Sequence, residues 1–217
     1  MVSIRGLVVA ALTGAAHAST LLDETARKPY IDAFVANQRQ TQTYEADMHQ
    51  TLRLRGLKQP IESEARIFYK APGALLMSFT KPAGEYVIVT GDDVYLKKAN
   101  RPLSHRKIVA QKARPDQNAQ LLLSLFQGDA LDWGALFDID MARDENRLIV
   151  TLRPKQADAK ARQVRIENVI ALPSNNLRSI QISFGEENSL TYEFSDAKRN
   201  LPLDDKLFVA PESDRKL

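Results

Sequence analysis

The sequence contains no cysteine, only three histidines and few aromatic residues. Of its 217 residues, 7% are aromatic. The lack of cysteine excludes a disulfide framework, a thiol nucleophile, a thiolate metal site and a lipid attached to an N-terminal cysteine. His17, His49 and His105 do not have the spacing of metal ligands, so we predict no metal site. The scarcity of aromatic residues argues against a surface on which nucleic-acid bases stack.

Charges of opposite sign are nearly balanced. The chain has 30 Lys and Arg against 27 Asp and Glu, which gives a formal net charge of +3. The basic residues are scattered among acidic neighbours, so the sequence lacks the basic stripe that follows a phosphate backbone. We therefore predict no nucleic-acid partner.

Common catalytic motifs are also missing. The sequence has no G-x-S-x-G or S-x-x-K motif of serine hydrolases and no Gly-rich phosphate loop. Asp138, Asp140 and Asp144 lie close together, but the glycine and final glutamate of a calcium loop are absent and apolar residues alternate with the first two. We predict no enzyme and no cofactor. The alternative is an envelope enzyme for a lipid or glycan, in which Asp138 or Asp140 would be catalytic.

Residues 1–18 are typical of a secretory signal peptide. Arg5 precedes an apolar run over residues 6–15, and Ala16-His17-Ala18 follows as a small-x-small cleavage site. The run is too short for a membrane anchor, which needs roughly 20 residues. We predict cleavage after Ala18, export from the cytoplasm, and a single domain formed by residues 19–217.

Alternation of apolar and polar residues dominates the chain after residue 43. Polar turns interrupt it at regular intervals, which predicts about ten to eleven antiparallel strands, the last at residues 206–211. So many strands do not stay flat, and we expect a mainly β barrel or part of a barrel. Two helices are predicted, at residues 20–37 with a break at Pro29 and at residues 116–127.

The stretch ALLMSF is apolar on both sides of its predicted strand. Leu75, Met77 and Phe79 point one way, while Ala74 and Leu76 point the other. A sheet with one face in water alternates strictly, so both faces of this strand need a cover. A curled sheet and an outer layer would supply the two covers. The enclosed side is either a filled core or an apolar pocket of the kind built inside barrels.

Three blocks of the sequence are similar to those of a known family. The family's succession of strands and turns is matched by RIFYKAPGALLMSFTKPAGEYVIVTGDDVYLKK. Its apolar helical segment is matched by AQLLLSLFQGDALDW, and its closing motif by DDKLFVAP. Together they resemble the LolA-type outer-membrane lipoprotein carriers. Two positions differ: Ala71 stands where the family commonly has an arginine before the turn proline, and Met77 where an aromatic residue is common.

The resemblance implies an incomplete antiparallel β-barrel with helices that form a lid over an apolar cavity. The cargo would be acyl chains of lipoproteins or another lipid. A monomer would carry it through the periplasm of a Gram-negative bacterium, from an inner-membrane transporter to an outer-membrane receptor. Each buried CH₂ contributes about 0.8 kcal/mol, so acyl chains need a shield in water. Lys70 would replace the missing arginine as a lid latch. The expected lipid-binding cavity wall consists of Leu52, Leu54, Ile67, Leu75, Met77, Phe79, Val87, Val89 and Leu122.

A non-catalytic sensor module of the same fold is the other interpretation of this resemblance. Such a module would bind lipid, or a protein partner at a sheet edge, and report on the state of the envelope. The sequence shows no second domain for signalling, which favours the carrier.

Overall fold

The architecture is a single open antiparallel sheet that curls around an apolar interior. A computed structural model describes residues 19–107, 122–123, 125–127, 137–155 and 164–215. Twelve strands occur within these ranges, and β1 and β7 are the two edges of the sheet, so the barrel does not close. The predicted fold class is therefore confirmed, with slightly more strands than predicted. The strands are β1 (Thr20–Leu21), β2 (Thr43–Arg53), β3 (Ile61–Lys70), β4 (Ala74–Lys81), β5 (Ala83–Thr90), β6 (Asp93–Lys97), β7 (Ser104–Lys107), β8 (Phe137–Arg143), β9 (Arg147–Pro154), β10 (Val164–Ala171), β11 (Asn176–Phe184) and β12 (Ser189–Arg199).

Strand order follows from the connections along the chain. The order in space is β1-β8-β9-β10-β11-β12-β2-β3-β4-β5-β6-β7, with every neighbouring pair antiparallel. Two runs of hairpin-connected strands are thus joined side by side where β12 pairs with β2. The register places Ile67 opposite Met77, and Met77 opposite Val87, so the side chains of β3, β4 and β5 form rows across one face.

The first predicted helix begins and ends later than expected and does not break at Pro29. Helix α1 (Glu24–Arg39) starts at Asp23, whose side chain accepts a hydrogen bond from the Ala26 amide at 2.8 Å. Pro29 lies inside the helix, which continues because burial of Phe34 and Val35 against the sheet stabilises the turns that follow. Residues 20–21, predicted as helix, pair with β8 as strand β1 instead.

The end of the chain differs from the predicted final strand. Residues Asp205–Phe208 form a 3₁₀ helix, started by Asp204, whose carboxylate accepts a hydrogen bond from the Lys206 amide at 2.9 Å. Its apolar residues Leu207 and Phe208 face the outside of the sheet and pack on Leu76. We call residues 201–211 the C-terminal tail. The local cap and the apolar surface beneath the tail favour this conformation over a further strand.

The two-sided apolar pattern of β4 is thereby explained. Leu75 and Met77 belong to the large inner cluster, while Leu76, with Ile88 and Phe208, belongs to a smaller outer cluster under the C-terminal tail. The strand lies between two apolar layers. One is the interior of the curled sheet, and the other is the tail.

Only part of the second predicted helix lies in the described residues. Residues 122–123 and 125–127 are helical, and the remainder of residues 116–127 lies outside the described ranges. We call residues 122–123 and 125–127 the central segment. In the part of the chain that the structure describes, no helix is both long and apolar enough to span a membrane.

Candidate functional site

The concave face of the sheet is the candidate site, and two helical elements cover it. The central segment lies over β2 and β3, where the Phe126 ring contacts Tyr44 at 4.7 Å and Tyr69 at 5.6 Å between ring centroids. Leu122 and Leu125 of the same segment are buried. Aromatic pairs at these distances add to the free energy of burial, so the central segment is firmly packed.

Helix α1 covers the other side of the interior, over β8 to β10. A few hydrogen bonds join it to the sheet: the Arg27 guanidinium donates to the Ile139 carbonyl at 2.9 Å, and Arg143 donates to the Tyr30 hydroxyl at 2.7 Å. Near the helix C-terminus, the Asn37 amide donates to the Asn175 carbonyl at 3.3 Å. Between these contacts the helix presents apolar side chains to the sheet.

Most of the predicted wall residues come together in this interior. Ile67, Leu75, Val89 and Leu122 have no exposed surface, and Met77 is buried beside them. Leu52, Phe79 and Val87 are partly buried and pack against the same cluster. Leu54 does not join them, because it lies just beyond the last residue of β2 and outside the cluster. Their contact with a lipid remains a prediction.

An apolar cavity lies between α1 and the sheet, away from the predicted wall. Its volume is about 40 Å³. That is room for at least one water molecule but not for an acyl chain. Among the described residues, the space between α1 and the sheet is therefore a nearly filled core with a small void, and a larger guest there requires its cover to move. Residues around the void include Ile31, Phe34, Leu125, Met141, Val150 and Ile170.

Asn168 is a buried polar residue in this mostly apolar wall. It is 1% exposed, and neither its Nδ2 nor its Oδ1 atom has a hydrogen-bond partner among the described residues. On β10 it lies between Ile166 and Ile170 on the inward-facing side, opposite Val150 of β9. No sequence motif points to this residue. The sequence feature that could have identified Asn168 is a polar residue at a position of β10 where the alternation of the strand requires an apolar one.

The turn between β3 and β4 contacts both the central segment and the C-terminal tail. The Gln127 side chain of the central segment donates a hydrogen bond to the Pro72 carbonyl at 2.6 Å. Lys70, the predicted latch, instead donates to Asp205 at 2.5 Å and to the Leu203 carbonyl at 3.3 Å, both in or beside the 3₁₀ helix. Among the described contacts, Gln127 joins this turn to the central segment, and Lys70 joins it to the C-terminal tail.

A partly buried arginine stabilises the junction of β12, β2 and the turn after α1. Arg199 donates hydrogen bonds to Thr41 and to Asn176, and its guanidinium lies 5.6 Å from the centre of the Tyr44 ring. Burial raises the pKa of Tyr44 to about 12, although the charges of Arg199 and Arg178 act in the opposite direction. Tyr44 is therefore a neutral component of the core at physiological pH.

The acidic residues around β8 form ion pairs. Asp140 pairs with Arg153 on β9, and Asp144 pairs with Arg147 at 2.6 Å across the turn. The Arg147 side chain, as a hydrogen-bond donor, contributes most to holding the pKa of Asp144 below its usual value. Within the described ranges, no group of three or more His, Cys, Asp or Glu residues is arranged to hold a metal ion. The Asp140 side chain is half-exposed, whereas the Asp144 side chain is largely buried in the turn beside Arg147.

Solved structures share this architecture at low sequence identity. MucB superposes with a TM-score of 0.55 at 8% identity, over 87% of this chain and 64% of MucB. An uncharacterized conserved protein from Thermus thermophilus superposes with a TM-score of 0.53 at 11% identity, over 86% of this chain and 95% of that protein. The lipoprotein LppX of Mycobacterium tuberculosis gives 0.46 at 13% identity, over 84% and 100% of the two chains. At such identities the likeness to MucB and to the Thermus thermophilus protein concerns the fold.

Family membership rests on the sequence itself. A search of curated proteins found no match. The model of the family described as outer membrane lipoprotein carrier protein LolA matches residues 39–211, from the end of α1 to the end of the C-terminal tail. Because this match covers most of the chain and the fold agrees with it, the protein is a member of the LolA family of outer membrane lipoprotein carrier proteins.

Proposed function

We propose that this protein is a non-catalytic carrier that shields acyl chains of lipoproteins or of another lipid between the two membranes. The observation that carries the proposal is the continuous apolar face of the open sheet, which is covered by two helical elements. Acyl chains can replace those elements at the same face because the buried side chains with which both elements cover it are mainly apolar. The family match supports this assignment.

The proposal includes a location and a route. The protein works in the periplasm after removal of residues 1–18, acts as a monomer, and moves cargo from an inner-membrane transporter to an outer-membrane receptor. The support is the signal-like N-terminal sequence and the carrier family to which the chain belongs. Transfer in water needs a shield, because each exposed CH₂ costs about 0.8 kcal/mol.

Loading requires displacement of a cover. The void of about 40 Å³ cannot take an acyl chain, so α1, the central segment, or both must move away from the sheet. The firmly packed aromatic contacts of Phe126 favour α1 as the element that moves first. The part of the interior that longer chains then reach consists of Leu52, Ile67, Leu75, Met77, Phe79, Val87, Val89 and Leu122, while Leu54 lies outside it.

Lipid uptake by the purified protein tests this proposal. We expect native mass spectrometry and solvent extraction to reveal bound lipid, and a fluorescent fatty acid to bind with saturation. Val150→Phe places a ring in the void and lowers uptake at least severalfold. Val209→Phe makes the same change at a half-exposed surface position and leaves uptake unchanged. Circular dichroism of both variants controls for folding.

Two results would contradict the proposal. The first is a wild-type protein that carries no lipid and binds no fluorescent fatty acid. The second is binding without transfer: a protein that takes up lipid, never delivers it to acceptor vesicles, and is captured from envelope extracts by a regulatory membrane protein would be a sensor module. Retained transfer of cargo to vesicles distinguishes the carrier from that alternative.

A further inference from the structure

We propose that Asn168 is a recognition point for an acyl ligand whose carbonyl group is flanked by an N–H or O–H donor, such as an N-acyl amide. The inference rests on the proposed function, since it requires that acyl ligands enter the interior. It adds a specific polar contact to a site whose other lining residues are mostly aliphatic and aromatic. The structural basis is one carboxamide, buried and without a partner among the described residues, at the void beneath α1.

The position of Asn168 is unfavourable for the fold alone. Its side chain lies in a row of inward-facing residues with Ile166 and Ile170, and opposite Val150 and Ile180 on the neighbouring strands. A buried amide without a hydrogen bond destabilises the folded state. An apolar residue of the same shape would avoid that penalty. For packing alone, a leucine would therefore serve at least as well as Asn168 at this position.

Asn168 also differs from the other unpaired polar groups in the core. Among the described residues, Gln38, Tyr44 and Asn168 have buried side-chain polar atoms without hydrogen-bond partners. Asn168 alone of the three borders the void. It also has two unpaired atoms, whereas each of the others has one. The donor and the acceptor are thus both available at the place where the interior already has space.

The chemistry of a carboxamide selects the ligand class. Nδ2 donates and Oδ1 accepts, so a single ligand group satisfies both only if it carries an acceptor and a donor side by side. A secondary or primary amide does so, and so does a protonated carboxylic acid. An ester has acceptors only and leaves Oδ1 unpaired. The surrounding hydrocarbon, including Ile31 and Phe34 of α1, suits the attached acyl chain.

A bound water is the competing occupant. A buried water is held well when it makes about three hydrogen bonds. Asn168 supplies the unpaired polar atoms at this void among the described residues, and the remaining wall is mostly aliphatic and aromatic. A ligand that combines a carbonyl group with a hydrocarbon chain matches both parts of the wall, which a water does not.

The test compares two ligands of equal chain length in three proteins. Dodecanamide and methyl dodecanoate compete with the fluorescent fatty acid for wild type, for Asn168→Leu and for Ile170→Val. The ratio of the two affinities cancels the general contribution of the chain, and its change between proteins isolates the contact with residue 168. We expect Asn168→Leu to lower the amide-to-ester ratio about tenfold, and Ile170→Val, at the same void, to change it less than twofold.

The outcomes separate this inference from the proposed function. Equal amide-to-ester ratios in wild type and Asn168→Leu, with both ligands still bound, would overturn the role of Asn168 and leave the carrier function intact. Failure of wild type to bind either ligand or the fluorescent fatty acid would contradict the carrier function, and the inference with it. Asn168→Ala, which removes the amide without adding volume, is measured in parallel and must lower the ratio as well.

Discussion

The two halves of the sheet are built differently. In β2 to β6, which we call the filled half, the inner face is packed by the central segment and the outer face of β4 and β5 lies under the C-terminal tail. In β8 to β10, the hollow half, α1 covers the inner face above a void, and outward positions hold ion pairs such as Asp140 with Arg153. One half lies between two apolar covers, and the other has one.

This difference indicates which half can change. Opening the filled half would break the Phe126 contacts with Tyr44 and Tyr69 and expose residues that have no accessible surface. The hollow half already contains free volume and an unpaired polar group, so a ligand that enters there recovers contacts that the empty protein lacks. We therefore regard the filled half as the scaffold and the hollow half as the part that opens.

We expect the largest effect, a loss of stability, from a substitution in the filled half. Phe126→Ala removes a buried ring from its two aromatic neighbours and should lower the free energy of unfolding by about 3–5 kcal/mol. Phe126→Leu keeps most of the hydrocarbon and should cost clearly less. Urea denaturation followed by circular dichroism measures both. A loss below about 1 kcal/mol for Phe126→Ala, well under the usual cost of such a truncation, would show that the central segment is loosely held.

The same substitution in each half sharpens the comparison. Val89→Ile adds a methylene to a fully buried position of the filled half and should destabilise the protein by about 1–3 kcal/mol. Val150→Ile adds it beside the void and should stabilise the protein by up to about 0.8 kcal/mol, the contribution of one buried CH₂. The denaturant concentrations at the midpoints of unfolding measure both changes in stability. Equal destabilisation by both variants would contradict the distinction between the halves.

The smallest expected effect concerns the turn between β3 and β4. Gln127→Leu removes the hydrogen bond to Pro72 and should weaken the packing of the central segment by about 0.5–1.5 kcal/mol. Because α1 moves first, we expect only a slightly faster uptake of a fluorescent fatty acid. Lys70→Met removes a pair whose acidic partner Asp205 is 84% exposed and should change the rate less. Stopped-flow mixing measures both rates. A larger effect of Lys70→Met would assign the latch to Lys70, as the sequence predicts.

Strand alternation allowed the fold class and much of the core to be predicted. Ile67, Leu75 and Val89 were expected inside because their neighbours along the strand are polar or face the other way, and all three are fully buried. Leu54 was expected with them, but β2 ends at Arg53 and the alternation no longer applies beyond it. Patterns of period two describe a strand only as far as its hydrogen-bonded ladder extends.

Non-local packing could not be predicted in the same way. Phe208 was expected in a strand, since a short apolar run looks the same in a strand and in a turn that covers a sheet. The void also lay away from the predicted wall, because its position depends on how α1 meets β8 to β10. Both depend on contacts between residues far apart in the chain.

The sequence by itself shows that the chain has no cysteine and a signal-like N-terminus. It also determined the mainly β fold and the family to which the chain belongs. These follow from composition, period-two alternation and turn residues, which act over a few neighbouring positions. Only the tertiary structure decided that the C-terminal tail covers β4, that α1 leaves a void and that Asn168 borders it without a partner among the described residues. The physical reason is that burial and hydrogen-bond satisfaction are properties of the neighbours a residue meets in space.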